Sequence, residues 1–482
     1  MDVVVYILAA LGALILLLLA IILIRTLSFK PKPEITPDTE TIEFDKEASV
    51  EGLKKLIMCR TVSNYDHALE DEEEFCKLID LLPELYPNVF STCTLTKLPD
   101  RALLFRWKGK TDGAPTVLMA HYDVVPVKEE DWDMPPFGAT VENNVIYGRG
   151  SLDTKATFHS SLFAVNKLIG EGFAPECDVY LAYSGGEEVN GPGASHIVEF
   201  FKENGISPAM VLDEGGAVVE NVFPGVKRPC ALIGIAEKGI LDLKYTTKSN
   251  GGHASAPKPH TPVGILARAC TRVEKKPFKR HLTAPVSKMF DTLGRHSTFV
   301  YRMIFANMWL FEGLLDKICI KSGGELNALL RTTVAFTQMQ GGATSNVIPP
   351  EATMVSNIRL NPCDTIESAI EYIGGVIGDE DVKLSVVRGM DPSPISDADN
   401  EAYQKIERAI ASTWHGSIVS PYLMVQCSDS RHWSRISDRV YRFSALDLTS
   451  EERATIHAKN EGIRIEALHR CCEFYLRLIK NC

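Results

Sequence analysis

Five short stretches of the sequence each end an apolar run with side chains that can bind a metal ion. The first is Val117–Asp123, where His121 and Asp123 follow an uninterrupted apolar run. A run of this kind predicts a buried parallel strand that presents its polar groups at its carboxyl end. The metal-binding side chains of the other four stretches are Asp153, Glu187 with Glu188, Asp213 with Glu214, and His457.

Histidines and carboxylates that meet at one edge of a sheet form a mixed nitrogen and oxygen ligand set. The carboxyl ends of parallel strands are where open α/β sheets bind their ligands. A nitrogen and oxygen set suits Zn²⁺, and also Co²⁺ or Mn²⁺. A structural histidine, a capping aspartate or the solvated start of a helix would explain any one of these residues taken alone. The whole constellation instead predicts a divalent metal site.

Seven motifs follow one another along the chain. They are His121-x-Asp123-Val124-Val125-Pro126, Gly148-Arg149-Gly150-x-x-Asp153-x-Lys155, Glu187-Glu188, Asp213-Glu214-Gly215, Gly251-Gly252-His253-Ala254-Ser255-Ala256-Pro257, Asn346-Val347-Ile348-Pro349 and His457. In this order they resemble the aminoacylase/carboxypeptidase S family of dinuclear zinc metallopeptidases, over residues 45–480. Val211 to Gly216 is most similar to the branch of carboxypeptidase S and the N-fatty-acyl-amino-acid synthase/hydrolases.

The resemblance implies two zinc ions per subunit, bridged by Asp153, with Co²⁺ or Mn²⁺ as alternatives. Family members differ in which acid of the pair Asp213-Glu214 binds metal. We take Asp213 as the ligand here, with Glu214 as the alternative. Glu188 and His457 are expected to complete the ligands of one ion. His121 and Asp213 are expected to complete those of the other.

The same resemblance implies the catalytic and substrate-binding residues. Glu187 is the predicted general base, and Asp123 is expected to lie behind the neighbouring histidine and fix its ring. His253 resembles a residue that stabilises the oxyanion, often across a dimer, and Asn346 and Arg359 resemble residues that bind the substrate carboxylate. Taken alone, these three would be a turn histidine, a turn asparagine and an exposed strand arginine. Residues 427–432 also resemble a family loop near the substrate.

The activity implied by these roles is hydrolysis of an amide bond next to an amino acid with a free carboxylate. The substrate would be a small peptide or an N-acyl amino acid, and the enzyme a carboxypeptidase, a dipeptidase or an N-acyl-amino-acid deacylase (an aminoacylase). One alternative is a metal-free binding module on the same scaffold, which predicts a missing ligand. Another is an amidohydrolase of carbamoyl or ureide substrates, which the Asp-Val-Val-Pro motif disfavours.

Strands and amphipathic stretches alternate through the first half of the chain. This pattern predicts an α/β fold with a mostly parallel sheet covered by helices, and the resemblance identifies it as a zinc exopeptidase-like catalytic domain. A helical pattern over residues 461–479 ends the chain. The predicted units are an anchor (1–30), a linker (31–44), a catalytic domain in two parts (45–238 and 393–482) and an inserted domain (239–392).

The pattern of apolar and polar residues in the inserted segment differs from that of the rest of the chain. Alternating strands, a glycine-rich turn and helical runs predict a smaller α+β unit, which the resemblance interprets as a lid or dimerisation domain in a homodimer. Residues 275–330 within it are basic, aromatic and helical in pattern. No role follows from their sequence.

The composition argues for a small-molecule ligand. The 482 residues carry a net charge of −11, with a pI near 5.6. An acidic chain without a long basic run disfavours nucleic acid as a partner. The twelve cysteines include no Cys-x-x-Cys pair, so neither a thiolate zinc site nor a disulfide framework is predicted.

An uncharged apolar stretch from Val3 to Ile24 predicts one membrane-spanning helix. As a helix it would be about 33 Å long, enough to cross a bilayer. Its flanks lack the basic start and small-residue cleavage site of a signal peptide, which favours a retained anchor. The positive charges Arg25, Lys30 and Lys32 follow the span and favour a cytoplasmic catalytic domain. The prolines that follow predict an extended spacer that lifts this domain off the membrane.

Overall fold

The structure is a computed structural model that describes residues 2–482. Met1, the first residue of the predicted anchor, lies outside that range. The strands are β1 (Thr94–Leu98), β2 (Ala102–Trp107), β3 (Thr116–His121), β4 (Thr140–Glu142), β5 (Val145–Tyr147), β6 (Val179–Ser184), β7 (Met210–Val219), β8 (Cys230–Glu237), β9 (Gly239–Lys248), β10 (Gly252–His253), β11 (Thr333–Gln340), β12 (Val347–Ile348), β13 (Glu351–Leu360), β14 (Lys383–Met390), β15 (Ile418–Met424), β16 (Val440–Leu448) and β17 (Gly462–Arg464). The α-helices are α1 (Asp2–Ser28), α2 (Lys46–Ile57), α3 (Glu72–Leu85), α4 (Pro87–Thr92), α5 (Lys155–Gly170), α6 (Gly193–Glu203), α7 (Pro262–Lys275), α8 (Ala284–His296), α9 (Phe299–Ala306), α10 (Met308–Ser322), α11 (Gly324–Leu330), α12 (Ile366–Ile377), α13 (Glu401–Thr413), α14 (Ser450–Arg453) and α15 (Ile465–Lys480).

An eight-stranded sheet forms the largest layer, with the strand order β1-β2-β6-β3-β7-β16-β8-β15. Strand β3 is parallel to β6 and β7, β7 is parallel to β16, and β8 is parallel to β15. The pairs β1 with β2, β2 with β6, and β7 with β8 are antiparallel. The α/β class is confirmed, but the sheet is mixed rather than mostly parallel. The connections from β1 to β2 and from β7 to β8 are too short for the crossover that a parallel pair needs.

The three central strands position the predicted site. Leu118 of β3 lies opposite Leu181 of β6 and Leu212 of β7. Every residue of β3 and β6 is buried, as expected for strands that are covered on both faces. Because β6, β3 and β7 are parallel neighbours, their carboxyl ends meet at one edge of the sheet.

Helices cover both faces of the eight-stranded sheet. On one face α5 packs against α15, with α2 and α13 beside them, and Phe158 and Leu468 belong to the large core that they form with the sheet. On the other face α6 packs against the turn 429–435. Phe201 and Trp433 lie in that second layer of apolar contacts. The sheet is therefore a buried platform.

A second sheet lies within residues 239–392. It is four-stranded and antiparallel, with the order β11-β13-β9-β14. Helices α7 and α12 pack on it, and Leu241, Ile358 and Ile373 belong to an apolar core separate from that of the larger sheet. The short strands β10 and β12 form their own antiparallel pair.

Residues 284–330 do not share this second core. Helix α8 lies against β15 at the edge of the eight-stranded sheet. Its side chains Val286, Phe290 and Leu293 belong to the large core. These helices, for which the sequence predicted no role, therefore pack with the larger sheet, although they lie inside the predicted inserted segment.

The segment after α1 lies along the protein surface. Residues 29–44 contain no helix or strand. Arg228 holds Glu34 through two hydrogen bonds of 2.6 and 2.9 Å, and Lys32 pairs with Asp291 at 2.9 Å. Charged contacts therefore hold the predicted linker against the enzyme, and its role as a spacer from the membrane stays a prediction.

Candidate metal and catalytic site

The site is built where the central strands end. This edge of the sheet collects acidic and histidine side chains from three neighbouring strands, as the apolar runs predicted. β3 ends at His121, β6 ends just before the turn that carries Glu187 and Glu188, and β7 contains Asp213 and Glu214.

Asp153 reaches the same edge from the loop between β5 and α5. Gly150 has a φ of +83°, a conformation that favours glycine, and it allows the tight turn before Asp153. Lys155 begins α5 and is buried. Its Nζ donates to the carbonyl oxygens of Leu56 and Cys59 at 3.0 and 2.6 Å. This lysine therefore fixes the end of the turn to α2.

The carboxylate of Asp153 lies between two histidines. Its Oδ1 is 3.0 Å from His121 Nε2, and its Oδ2 is 3.0 Å from His457 Nε2. His457 Nε2 is also 3.0 Å from Glu188 Oε1. One carboxylate thus faces two imidazoles through different oxygens, which is the arrangement of a carboxylate that can bridge two cations.

Glu214, and not Asp213, joins this cluster. Glu214 Oε1 is 3.6 Å from His121 Nε2, and ligand atoms of His121, Glu187 and Glu214 lie within 4.8 Å of one another. Asp213 Oδ2 instead accepts a hydrogen bond from the N–H of Ser430 at 2.8 Å. Neighbouring residues of a strand point to opposite faces. The structure therefore places Glu214, rather than Asp213, beside the other predicted ligands.

Asp123 supports both His121 and the turn after β6. His121 Nδ1 lies 3.0 Å from the carbonyl oxygen of Asp123 and 3.3 Å from its Oδ1. The N–H groups of Glu187 and Glu188 donate to the Asp123 carboxylate at 3.1 and 3.2 Å. Ser63 Oγ donates to it at 2.6 Å. Asp123 therefore lies behind His121 and leaves Nε2 facing the cluster.

Burial and mutual repulsion shift the pKa values within the cluster. Burial raises the pKa of Glu214 well above its usual value against the opposing effect of His121, and Asp153 and Glu187 add to the rise. Burial likewise raises the pKa of Glu187. Burial alone would lower the pKa of His121, but its carboxylate neighbours, Glu214 foremost, hold that pKa well above its usual value.

The donor set fits divalent cations. Two imidazole nitrogens and several carboxylate oxygens form a mixture that suits zinc and related metals. Buried negative charges are costly unless they are paired or bound to a metal. The raised pKa values of Glu187 and Glu214 reflect that cost. Bound cations would relieve it.

The loop 427–432 lies beside Glu187. Ser184 Oγ donates to Asp429 Oδ2 at 2.5 Å, and Arg431 Nη2 donates to Asn190 Oδ1 at 3.0 Å. Burial lowers the pKa of Arg431, but Asp429 and Glu187 outweigh that effect and raise it. The loop thus brings a cation close to the carboxylate of Glu187.

Glu461 was not among the residues that the sequence singled out, yet it organises the Asp153 turn. Its Oε1 accepts hydrogen bonds from the N–H groups of Leu152 and Asp153 at 2.7 and 3.1 Å. Its Oε2 accepts the N–H of Gly150 at 3.0 Å and lies 2.7 Å from Arg149 Nη1. A buried carboxylate therefore shapes the backbone that presents Asp153.

The position of Glu461 links two parts of the cluster. It follows His457 in the same loop, so one side chain fixes the Asp153 turn relative to that histidine. The sequence predicted Glu461 as the start of the last helix. That helix begins instead at Ile465, after the short strand β17. No signal in the sequence distinguishes this glutamate from a helix-starting one.

His253 and Asn346 lie together but not in the cluster. They belong to the β10–β12 region, where the N–H of Ala254 donates to the carbonyl oxygen of Asn346 at 3.0 Å. Both side chains are exposed. The Nδ1 of His253 accepts a hydrogen bond from Ser255 Oγ at 2.7 Å. The imidazole is therefore held within its own turn.

Arg359 lies closer to the site. It is carried by β13 of the four-stranded sheet, and its Nη1 donates to Cys427 Sγ at 3.5 Å. Cys427 Sγ in turn donates to the carbonyl oxygen of Lys238 at 3.3 Å. Arg359 thus reaches across from the second sheet to the loop that borders Glu187.

Comparisons with known proteins agree with this geometry. The sequence profile of peptidase family M20/M25/M40 matches residues 117–481. An N-fatty-acyl-amino acid synthase/hydrolase of Xenopus tropicalis is 35% identical, and the match covers 97% of this chain and 93% of the relative's length. The probable carboxypeptidase S-like 2 of Dictyostelium discoideum is 32% identical, and the match covers 97% of this chain and 92% of that protein's length. The fold is similar to that of an M20 family metallo-carboxypeptidase from Sulfolobus solfataricus, with a TM-score of 0.67 at 17% identity over 90% of this chain and 98% of that one.

We expect Glu461→Gln to weaken zinc binding by about 10- to 100-fold, the usual loss when a group that supports metal ligands is changed. The amide would turn an N–H₂ group toward the backbone N–H donors and displace the Asp153 turn. Calorimetric titration with Zn²⁺ measures the affinity, and circular dichroism checks the fold. Glu203→Gln, at an exposed glutamate of α6, is the matched control. Equal affinity in Glu461→Gln and the unaltered chain would contradict this role.

Proposed function

The chain belongs to peptidase family M20/M25/M40, and from that membership we propose that it hydrolyses the amide bond of N-acyl amino acids and dipeptides next to a free carboxylate. Two relatives support this substrate class by name. One is an N-fatty-acyl-amino acid synthase/hydrolase, and the other is a probable carboxypeptidase. Hydrolysis next to an amino acid is common to both.

The observation that carries the proposal is the position of Asp153 between two histidines. His121 and His457 face different oxygens of its carboxylate at 3.0 Å each. We assign Asp153 as the bridge between two zinc ions, with Co²⁺ or Mn²⁺ as alternatives. Glu188 and His457 are proposed to complete the ligands of one ion, and His121 and Glu214 those of the other.

Glu187 is the proposed general base. When bound, two divalent ions would acidify a water molecule and polarise the scissile carbonyl. The carboxylate of Glu187 takes a proton from that water and returns it to the leaving amine nitrogen. Burial and the neighbouring Asp429 and Glu188 raise its pKa against the effect of His121. A raised pKa means that this carboxylate binds a proton more strongly than an ordinary glutamate does.

Arg359 and Asn346 are the proposed binders of the substrate carboxylate, and His253 is the proposed oxyanion donor. Arg359 supports this assignment because it already reaches the loop beside Glu187. His253 in β10 and Asn346 just before β12 are both exposed. They can act only if residues 239–392 close over the site as a lid, or if a second subunit in a homodimer supplies them.

We propose that the catalytic domain comprises residues 45–238 and 393–482. Residues 239–392 then form the inserted unit, of which the four-stranded sheet carries Arg359. Residues 284–330 are an exception within this unit, because α8 packs on β15 of the larger sheet.

The proposed location is a membrane, with α1 as a retained single anchor. Among residues 2–482, α1 is the one helix that is long and apolar enough to cross a bilayer. Arg25 in its last turn, and Lys30 and Lys32 after it, favour a cytoplasmic enzyme. A signal sequence passes the same test of length and composition. N-terminal sequencing of the mature protein distinguishes the two.

A metal-free binding module fits the site less well. The cluster retains both histidines and all the carboxylates that a dinuclear site needs. A carbamoyl or ureide hydrolase would use the same metals, so the substrate assay is what separates it from an amide hydrolase of amino acids.

The purified full chain, loaded with Zn²⁺, is expected to release free amino acid from a panel of N-acyl amino acids and dipeptides. Glu187→Gln should lower turnover by about 10²- to 10⁴-fold, because it removes the proton acceptor. Its metal content should stay unchanged, which amino-acid release and elemental analysis measure together. Release from carbamoyl amino acids alone would overturn the proposed substrate class, and full activity of Glu187→Gln would move the base elsewhere.

Asp213 and Glu214 offer a matched pair for testing the ligand set. Glu214→Gln is expected to lose one of about two bound zinc ions, because its carboxylate faces His121. Asp213→Asn is expected to keep both, because that side chain bonds to the N–H of Ser430 on the other face of the strand. Elemental analysis after dialysis against trace zinc reads out the difference. Metal loss in Asp213→Asn but not in Glu214→Gln would reverse the assignment.

We expect His253→Ala to keep its metal but to lower kcat by about 10²- to 10³-fold, the usual loss of one oxyanion donor. If the histidine acts across a dimer, mixing this variant with Glu187→Gln should restore activity. Each hybrid would pair an intact Glu187 with an intact His253 from the other chain. Hybrids that have exchanged subunits and remain inactive would instead support closure within one chain.

A further inference from the structure

Helices α9 and α10 expose an apolar face next to α1. Each of its large apolar side chains is between 42% and 61% exposed, and we call the set the α9–α10 face. Its members are Phe299, Val300, Tyr301, Trp309, Leu310, Leu314, Ile318 and Ile320. A concentration of this kind on two consecutive helices exceeds the scattered apolar residues of an ordinary surface and marks an interaction site.

The spacing in α10 places its members on one side of the helix. Leu310, Leu314 and Ile318 recur every four residues, close to one turn of helix. Lys317 and Lys321 are exposed on the same side. This side of α10 therefore combines large apolar residues with two cations facing outward, and both residue types suit the boundary between the hydrocarbon core and the lipid headgroups.

The junction of α9 and α10 holds the C-terminal end of α1. Arg25 Nε donates to the carbonyl oxygen of Ala306 at 3.1 Å. Asn307 Nδ2 donates to the carbonyl oxygen of Ile22 and to Thr26 Oγ1, both at 3.3 Å. Ile22 and Thr26 are buried by this contact, at 8% and 1% exposure. The α9–α10 face is therefore fixed relative to the level of residues 22–26 of α1.

Residues 22–26 of α1 lie where the helix would leave the hydrocarbon core of a bilayer. The helix from Val3 to Ile22 is about 30 Å long, the thickness of a hydrocarbon core. An anchor embedded over this length would leave the bilayer at the turn that α9 and α10 hold. We propose that the α9–α10 face lies in the headgroup region of the bilayer that α1 crosses, so that the enzyme rests on the membrane through two adjoining elements.

The chemistry of the face matches that location. Trp309 and Tyr301 are the aromatic residues that favour the membrane interface. Lys317 and Lys321 can contact anionic headgroups. A protein partner fits less well, because the face continues directly from an apolar helix whose own side chains are exposed from Val3 onward.

The exit of α1 is also held in place. The guanidinium of Arg295 lies 4.3 Å from the centre of the Phe29 ring, and its Nη1 donates to the carbonyl oxygen of Lys30 at 3.0 Å. The chain after α1 therefore cannot act as a free tether. This inference rests on α1 being the proposed retained anchor, and it adds a defined orientation of the enzyme on the membrane.

Fluorescence of the full chain in phosphatidylcholine/phosphatidylserine vesicles tests the proposal. Trp309 is exposed, whereas Trp107, Trp414 and Trp433 are buried and Trp132 is half-buried. Lipids brominated at the upper acyl chain should quench the emission of the unaltered chain. Most of that quenching should be lost in Trp309→Phe. Equal quenching in the two proteins would overturn the proposal.

A pair of matched variants separates the face from the anchor. Leu314→Glu places a charge in the face and should reduce quenching of Trp309. Leu69→Glu changes a leucine that is 69% exposed, outside the face, and should leave quenching unchanged. Both proteins should still float with vesicles through α1. Equal quenching in the two variants would count against the face.

The remaining outcomes distinguish this inference from the proposed function. If the unaltered chain floats but Trp309 is not quenched, the proposal fails while the anchor stands. If the chain does not float, both the anchor and the proposal fail. Hydrolysis of a short, water-soluble N-acyl amino acid by the same preparation reports on the proposed activity independently of either result.

Discussion

The shared carboxylate of Asp153 is the contact on which the rest of the site depends. Its oxygens face His121 and His457 at 3.0 Å each, and these histidines come from distant parts of the chain. Asp123 holds the Nδ1 of His121. Glu461 holds the turn that carries Asp153 and lies in the same loop as His457. Buried polar groups of this kind stabilise a structure only when each has its partners. The supporting residues are therefore as necessary as the cluster that they position.

The cluster and the proposed substrate-binding residues are carried by different parts of the fold. The edge of the eight-stranded sheet holds the acidic cluster, where burial raises the pKa values of Glu187 and Glu214. In the 239–392 segment, β13 carries Arg359, β10 carries His253, and Asn346 lies just before β12. A charged centre on one sheet and proposed substrate-binding residues elsewhere suit an enzyme that admits its substrate before the site is complete.

Sequence patterns located the cluster because buried parallel strands read as apolar runs and meet at one edge. They did not decide between Asp213 and Glu214, because both are acidic and only the sheet reveals which face each one joins. Glu461 was missed because its hydrogen bonds go to backbone groups 308 to 311 residues away. The surface path of residues 29–44 likewise depends on Arg228 and Asp291, which no local pattern connects to Glu34 and Lys32.

A crystal structure of the zinc-loaded chain, with anomalous scattering measured at the zinc edge, tests the proposed role of Asp153 directly. We expect two anomalous peaks about 3.5–4 Å apart, the separation typical of two-metal sites, with one oxygen of Asp153 at each. His121 and Glu214 should flank one peak, and His457 and Glu188 the other. A single peak, or two peaks that Asp153 does not join, would rule out Asp153 as the shared ligand.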